Sequence, residues 1–242
     1  MSRNFADAFG REIYDYYTRR TGYEIVERDD GLIEIGAGPA AYFADFTEWP
    51  DYEKKAMKFV RGRVLDIGCG AGRHSQYLQK KGFECVGIDN SPLAVKVCRL
   101  RGIKKVKLMD LNKLNTHFGI FDTVLMLGNS FAILSDEKKA HLIIKKLFKL
   151  TSPGGLIIAQ TRDPYQTDMR EHKEYHSNNK KKGKPAGWAR IRVRYKKYVT
   201  PWMEYLFYSR LELDNMLSNT GWKISKIIRG QTGIYLAIII KS

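Results

Sequence analysis

The sequence predicts a soluble α/β protein built around a parallel β-sheet with helices on both faces. From residue 63 onward, short apolar segments alternate with amphipathic ones, as strands and helices do when they follow each other along the chain. The first of these strands runs into three alternate glycines. No uninterrupted apolar run approaches the ~20 residues that a membrane-spanning helix needs. With 242 residues, of which 43% are hydrophobic, the chain has the size of one α/β domain with a modest insertion.

The alternation assigns most of the elements after residue 60. The predicted strands are 63–67, 85–89, 105–109, 121–127, 156–161, 222–228 and 235–240. The predicted helices between them are 73–81, 92–101, 136–150 and 212–220. Pro153-Gly154-Gly155 separates a helix from the strand that follows it. Segments 61–161 and 209–242 therefore form the predicted core.

Two segments lie outside this alternation. Residues 1–60 predict a helix, whose apolar face starts at Phe5, a short hairpin around Asp29-Asp30-Gly31, and a second helix that follows Pro50 and ends before Arg61. Residues 162–208 begin with a polar stretch that ends at Gly183. Residues 190–195 then alternate with period two, as in a strand, and a turn at Thr200-Pro201 leads to a second predicted strand at 202–208. We interpret 162–208 as an inserted β-hairpin that caps the sheet, within a single domain that spans 1–242.

Charge and cysteine content narrow the choice of partners. The net charge is +16, and residues 162–200 hold twelve Lys or Arg against four Asp or Glu, so half of the excess is local. Such an excess indicates an anionic partner, or else a lysine-rich surface without a specific role. Cys69, Cys85 and Cys98 form no CxxC pair, which argues against a zinc site or a disulfide framework and favours the cytoplasm. We therefore expect no metal site.

The segment from Asp66 to Arg73 predicts a ligand site. A buried strand ends in Asp66-Ile67-Gly68-Cys69-Gly70-Ala71-Gly72, and a helix follows at once. Glycines allow a ligand to approach the backbone, and the free N–H groups of a helix start attract an anionic group. The dinucleotide fingerprint GxGxxG is absent, because Arg73 stands where its third glycine would be, and a nicotinamide oxidoreductase is therefore disfavoured. Asp66 is suited to face a positive group.

Two more acids end the next strands. Asp89 ends the second strand, where a carboxylate can accept hydrogen bonds from ribose hydroxyls. Asp110 ends the third strand and could accept from the amine of an adenine. A single acid at such a place is often only a turn residue or a helix cap. Three acids at one edge of one sheet, where open α/β folds bind ligands, predict a nucleoside-containing cofactor.

These motifs resemble the class I S-adenosylmethionine-dependent methyltransferase family over about residues 60–160 and 210–240. The resemblance implies a Rossmann-like, doubly wound sheet of seven strands, of which the last is antiparallel, and S-adenosyl-L-methionine as cofactor, released as S-adenosyl-L-homocysteine. It rests on the glycine loop, Gly87-Ile88-Asp89, Asp110-Leu111, Phe121-Asp122 and Pro153-Gly154-Gly155. The cofactor-binding residues that it implies are Asp66, Gly68, Cys69, Gly70, Gly72, Asp89, Asn90, Asp110, Leu111, Leu127 and Gly128.

The loop after the fourth strand bears on the methyl acceptor. It lacks the Asn/Asp-Pro-Pro-aromatic motif of nucleic-acid amino-methyltransferases, whereas Gly128-Asn129-Ser130-Phe131-Ala132 resembles the loop of glycine and sarcosine N-methyltransferases. In those enzymes an arginine after the fifth strand holds the substrate carboxylate, and Arg162 stands at that place. The alternative is that Arg162 pairs with Asp163. We therefore predict N- or O-methylation of a small, anionic molecule, with Asn129 and Arg162 at the acceptor.

Other readings stay open. A hydroxyl acceptor would need a base, for which His74 is the best-placed imidazole, although a histidine in a first helical turn more often caps or packs. The 180–198 tract interleaves cations with Trp188, Tyr195 and Tyr198, a mixture that suits RNA as well as a solvated basic strand. A cofactor-binding regulator without turnover is a third possibility. The oligomeric state is not predicted.

Overall fold

The computed structural model describes residues 6–242, so that Phe5 of the predicted first helix lies outside the described part. The helices are α1 Ala8–Arg19, α2 Asp51–Met57, α3 Arg73–Lys80, α4 Pro92–Leu100, α5 Glu137–Lys149, α6 Arg170–Lys181 and α7 Arg210–Leu217. The first strands are β1 Ile25–Arg28, β2 Ile33–Ile35, β3 Val64–Ile67, β4 Cys85–Asp89, β5 Val106–Leu108 and β6 Phe121–Met126. The others are β7 Thr151–Arg162, β8 Trp188–Tyr195, β9 Tyr198–Val199, β10 Met203–Leu206, β11 Trp222–Arg229 and β12 Ile234–Lys241.

Seven strands form the main sheet in the order β11-β12-β7-β6-β3-β4-β5. β6 pairs parallel to β7 and β4 parallel to β5, whereas β12 lies antiparallel between β7 and β11. This order confirms the predicted Rossmann-like sheet with an antiparallel last strand. β7 begins earlier than predicted, because Thr151 already pairs with Phe121 and the register then shifts so that Leu156 pairs with Thr123. The Pro153-Gly154-Gly155 segment is thus an irregular entry into the strand rather than a separator.

The second sheet has the order β10-β8-β1-β2, and β9 also pairs with β8. β8 and β10 are neighbours, as the predicted hairpin requires, but β8 also pairs antiparallel to β1. The register sets Glu27 opposite Arg192, so that opposite charges face each other across the two strands. The N-terminal hairpin and the insertion therefore share one sheet, a pairing that the sequence analysis did not predict.

The polar stretch of the insertion is helical. We predicted no regular structure there, but Arg170–Lys181 forms α6. Of its side chains only Tyr175 and Asn179 are buried, so the sequence carries no apolar helical period. The Asn179 amide compensates for this by donating to the carbonyl oxygens of Ala186 at 3.1 Å and Trp188 at 2.6 Å.

The described chain divides into two compact units. The first unit takes in the residues up to Trp49, then Asp66–Leu111 and Arg190–Met203, and the second unit takes in Pro50–Leu65, Asn112–Ala189 and Glu204–Ser242. In the first unit, α1 packs on α4 around buried Ile13 and Val97. In the second, α5 packs on α7, and α2 packs on β11 and β12. That the whole chain acts as one domain stays a prediction.

None of the helices in the described part of the chain is both long and apolar enough to cross a bilayer.

Candidate functional site

The glycine loop of the first unit adopts a backbone that requires glycine. Gly68, Gly70 and Gly72 have φ angles of 70°, 56° and 77°, in the left-handed region that other L-residues avoid. At Gly72 space is also lacking, because an added Cβ would lie 2.0 Å from Cδ1 of Ile103 and 2.9 Å from Sγ of Cys98. The loop therefore brings bare backbone to the start of α3, as its sequence predicted.

Asp66 ends β3 and is buried beneath this loop. Its Oδ2 accepts a hydrogen bond of 2.6 Å from the Oγ of Ser75, in the first turn of α3. The bond fixes the carboxylate against the helix, whereas Oδ1 accepts no hydrogen bond from the residues that the structure describes and has two lone pairs for a ligand. Sequence reasoning missed Ser75, because a serine in a helical turn carries no distinctive signal.

Asp89 ties the loop to the next helix. Its Oδ2 accepts from the backbone N–H of Gly70 at 2.9 Å, and its Oδ1 accepts from the N–H of Ser91 at 2.8 Å. Desolvation raises the pKa of the Asp89 carboxyl, although the two backbone donors oppose this. Each oxygen retains a free lone pair, so the group can still accept from a diol. Asn90, beside it, is exposed.

Three more predicted cofactor residues belong to the first unit: Asp110, Leu111 and Cys69. In the pairing of β4 with β5, Asp89 lies opposite Leu108, and Asp110 comes two residues after Leu108 in the chain. It is exposed, whereas Leu111 is buried at the start of a short 3-10 turn. Cys69 is buried, and hydrogen bonding with Cys98, together with burial, raises the pKa of its thiol. Cys69 is therefore a packing residue of the loop rather than a reactive thiol.

The N-terminal segment adds residues that the motifs did not point to. The ring of Tyr42 lies against Gly70, 3.4 Å from where a Cβ would stand, and its hydroxyl donates to Glu24 at 3.0 Å. Glu12 on α1 is fully buried, and desolvation together with the charge of Glu24 raises its pKa to about 10. Glu12 is therefore uncharged at neutral pH.

His74, the predicted base, lies in the first turn of α3 and is buried. Its ring packs edge-to-face on Trp49, with the ring centres 4.7 Å apart. This position supports the alternative that His74 is a packing residue, and its role as a base stays a prediction.

In the second unit, β6 ends in a tight turn. Leu127 is buried, whereas Gly128 and Asn129 are exposed and have φ angles of 59° and 68°. The N–H of Gly128 donates to Oε1 of Gln160 at 3.1 Å, which links the turn to β7. Sequence reasoning missed Gln160, although a polar residue at the end of the apolar run Leu156–Ala159 is a signal that could have found it.

Arg162 ends β7 and its side chain is exposed. Among residues 6–242 it makes no side-chain hydrogen bond, ion pair or ring contact. Asp163, the alternative partner, accepts instead from the N–H of Tyr165 at 3.0 Å and from Nε2 of Gln166 at 3.2 Å. Because side chains alternate along a strand, Arg162 lies on the same face as Gln160, the residue bound to the β6 turn.

Two of the three arginines of the basic strand β8 bind one carboxylate within the first unit. Arg192 donates two hydrogen bonds to Glu27, at 2.9 and 2.7 Å, and Arg194 donates to the same carboxylate. These bonds lower the pKa of Glu27 to about 2. Lys196 pairs with buried Asp15 at 2.7 Å. Three cations of the 180–198 tract are thus held by internal acids, which leaves fewer of them for an external polyanion.

Comparison with known proteins finds methyltransferases that resemble this chain in sequence. Residues 64–155 match the family model of a methyltransferase domain. The chain is 30% identical over 155 residues to a glycine/sarcosine N-methyltransferase of Halorhodospira halochloris. The matched segment covers 62% of this chain and 56% of that protein. It is 29% identical over 117 residues to a ubiquinone biosynthesis O-methyltransferase of Xanthomonas oryzae pv. oryzae, which covers 46% and 47%. The chain thus spans about half the length of these curated relatives.

Solved structures extend the likeness to the whole chain. The S-adenosylmethionine-dependent methyltransferase from Bacteroides fragilis, in complex with S-adenosyl-L-homocysteine, has a TM-score of 0.83 and 26% identity, and covers 98% of this chain and 95% of its own. The CcbJ methyltransferase from Streptomyces caelestis has a TM-score of 0.65 and 15% identity, and covers 98% and 99%. The second likeness concerns the fold alone.

Proposed function

Because the chain belongs to the class I S-adenosylmethionine-dependent methyltransferases, we propose that it methylates a small molecule that carries an anionic group. The observation that carries the proposal is Arg162, an exposed guanidinium without a side-chain partner among the described residues. A guanidinium is matched to a planar carboxylate or a phosphate, because its N–H groups bind two oxygens at once. An arginine that none of residues 6–242 neutralises is available for such a ligand.

Within the first unit we assign the cofactor to the glycine loop and the three strand-end acids. Gly68, Gly70 and Gly72 would admit the methionine part to the backbone, and the free oxygen of Asp66 would accept from its ammonium. Asp89 would accept from the ribose hydroxyls. Asp110 and Leu111 would hold the adenine, and we also assign Asn90 to cofactor binding. For Leu127 and Gly128, which belong to the second unit, a role in cofactor binding stays a prediction.

The chemistry asks little covalent work of the protein. The cofactor supplies a methyl group on a sulfonium, which a nucleophile takes by direct displacement. The chain's own residues must align the acceptor and keep water away. Arg162 would fix the anionic end of the acceptor, and Asn129 would lie beside its reacting atom. An amine acceptor needs only to arrive uncharged, whereas a hydroxyl acceptor would need a base such as His74.

The names of two relatives and one ion pair in the structure support a small acceptor over RNA. The relatives include a glycine/sarcosine N-methyltransferase and a ubiquinone biosynthesis O-methyltransferase, whose names denote small acceptors. In the first unit, Arg192 and Arg194 are bound to Glu27 rather than presented to a polymer. RNA binding through β8 would have to compete with this ion pair.

The proposal is tested by Arg162→Lys, which keeps the charge and removes the two-pronged geometry. With a panel of small carboxylates and phosphates, we expect kcat/KM to fall roughly 10- to 100-fold, the loss of one or two charge-assisted hydrogen bonds. Affinity for S-adenosyl-L-homocysteine, measured by calorimetry, should stay within about twofold.

The matched control is Arg229→Lys, because Arg229 is also an exposed arginine that ends a strand of the second unit. Equal turnover in both variants on every acidic acceptor would refute the role of Arg162. Turnover on bulk RNA, but on no small acid, would refute the substrate class.

A further inference from the structure

A depression of about 250 Å³ lies in the second unit, next in the chain to Arg162. One wall is the segment that follows β7, with Tyr165 and Thr167, and the other wall is α6. The α6 side chains that line it are Lys173, His176, Ser177 and Lys180. None of these residues has been assigned to the cofactor or to the acceptor above.

The sequence of α6 explains why these side chains converge. Positions 173, 176, 177 and 180 follow the i, i+3, i+4, i+7 spacing of a single helix face. The buried residues Tyr175 and Asn179 lie on another face, and the two hydrogen bonds of Asn179 attach the helix to the segment after it. The cationic face is therefore held in place from behind.

The charge of the depression is not compensated from within. Of the described residues that line it, none carries a carboxylate. Of the neighbouring acids, Glu174 pairs with Arg170 at 2.6 Å, and Glu212 accepts from the hydroxyl of Tyr165 at 3.1 Å and from the N–H of Ser209 at 2.8 Å. Two ammonium groups thus share one concave surface without an opposing charge on it.

One of these ammonium groups is held by an aromatic ring. The Nζ of Lys180 lies 4.7 Å from the ring centre of Tyr165, a cation–π contact. The bond from the Tyr165 hydroxyl to Glu212 fixes the far end of the same ring. Hydroxyl groups are also present in Ser177 and in Thr167, whose Oγ1 lies 3.2 Å from Nδ1 of His172. The surface therefore combines two positive charges with neutral donors.

We propose that this depression binds the phosphate group of a phosphorylated small molecule. The inference rests on the proposed function in that this molecule is taken to be the methyl acceptor. A phosphate monoester is a dianion near neutral pH and offers three acceptor oxygens. Two ammonium groups and two hydroxyls match that charge and that number of acceptors better than they match a carboxylate monoanion.

The test measures binding directly, with calorimetry on the full chain and without cofactor. The probes are inorganic phosphate, O-phosphoserine, serine and a single-stranded RNA. The test variant is Lys173→Gln with Lys180→Gln. Its control is Lys138→Gln with Lys145→Gln, two exposed lysines on α5 with the same seven-residue spacing and the same change in net charge.

We expect the unmodified chain to bind O-phosphoserine and not serine. The affinity should fall by about 10-fold or more in the test variant, because two charge-assisted contacts are lost, and by less than about twofold in the control. Tyr165→Leu, which removes the ring beneath Lys180, should weaken binding by about two- to fivefold.

Equal losses in the test and control variants would overturn the proposal, because they would show attraction by net charge alone. Binding of RNA but not of O-phosphoserine, lost in the test variant, would assign the lysines to a polymer and also overturn it. Methyl transfer does not enter this measurement. Phosphate binding without turnover on any phosphorylated acceptor would therefore refute the proposed acceptor and leave the phosphate site supported. Turnover on a small acid without phosphate binding would refute the phosphate site and leave the proposed function supported.

Discussion

The predicted cofactor residues of the first unit and the predicted acceptor residues of the second are held in opposite ways. Asp66 and Asp89 each accept hydrogen bonds from the protein, and the loop between them leaves no room for a side chain at Gly72. Asn129 and Arg162 are exposed, and neither side chain has a hydrogen-bond partner among residues 6–242. The first set is fixed before any ligand arrives, whereas the second is left for a ligand to complete.

The difference has an energetic consequence. Bonds that join Asp66 to α3, and Asp89 to the glycine loop and α4, contribute to stability as well as to binding, so changes there should affect both. An exposed arginine or asparagine is solvated by water in the free protein, so its replacement should leave stability nearly unchanged. Folding and turnover should therefore be coupled in the first region and separable in the second.

The largest effect is expected at Gly72. Gly72→Ala adds a Cβ that would lie 2.0 Å from Ile103 and places alanine at a φ of 77°. Left-handed strain and overpacking together should lower the free energy of unfolding by about 2–5 kcal/mol. Urea denaturation would measure this loss, and affinity for S-adenosyl-L-homocysteine should fall with it.

Gly82→Ala separates the two causes. Gly82 has a φ of 87°, but an added Cβ would meet nothing within 4 Å, so only the strain of about 1–2 kcal/mol should appear. If both variants lose the same stability, then the close packing at Gly72 has no energetic weight and the loop is less rigid than its contacts indicate.

A smaller effect is expected at Asp89. Asp89→Ala removes an acceptor from the proposed ribose contact. Calorimetry should show that the binding free energy of S-adenosyl-L-homocysteine becomes about 1–3 kcal/mol less favourable. Since desolvation raises the pKa of Asp89, the affinity of the unmodified chain should decline on acidification at a higher pH than for an ordinary aspartate, because the protonated carboxyl loses an acceptor.

Asp136→Ala, which removes the N-cap of α5, is the control, because it should cost about 1 kcal/mol of stability without changing this affinity. An Asp89→Ala variant that loses stability but binds the product normally would restrict Asp89 to joining Gly70 and Ser91.

How far the sequence predicts the molecule differs between local and distant features. The strand predicted at 85–89 is found at Cys85–Asp89, because a continuous apolar run and its flanking residues decide such an element locally. The pairing of β1 with β8 joins residues about 165 positions apart, and it is stabilised by Glu27 and Arg192, whose partnership no local pattern reveals. Helix α6 was missed because two buried residues are too few to give a period.

The candidate sites follow the same division. The glycine loop could be predicted because consecutive residues encode it, and all three glycines have the left-handed backbone that such a loop requires. The availability of Arg162 could not be predicted, because the adjacent Asp163 is an equally plausible partner until its bonds to Tyr165 and Gln166 are known. Sequence order brings an acid beside Arg162, and only the structure shows that the acid is already occupied.

The smallest effect, and the sharpest test of the second region, is expected at Asn129. Its φ of 68° is one that asparagine tolerates, so it could serve only as a turn residue. Asn129→Gly keeps that backbone and removes the amide, whereas Asn129→Ala removes the amide and adds strain of about 1 kcal/mol. Turnover should fall about equally in both variants, roughly 10-fold. Urea denaturation should show that Asn129→Ala is about 1 kcal/mol less stable than Asn129→Gly, because only alanine is strained at this φ. If turnover instead follows stability, so that Asn129→Gly is fully active, then the side chain contributes nothing to transfer, and the contrast between a preformed cofactor region and a ligand-completed acceptor region would depend on Arg162 alone.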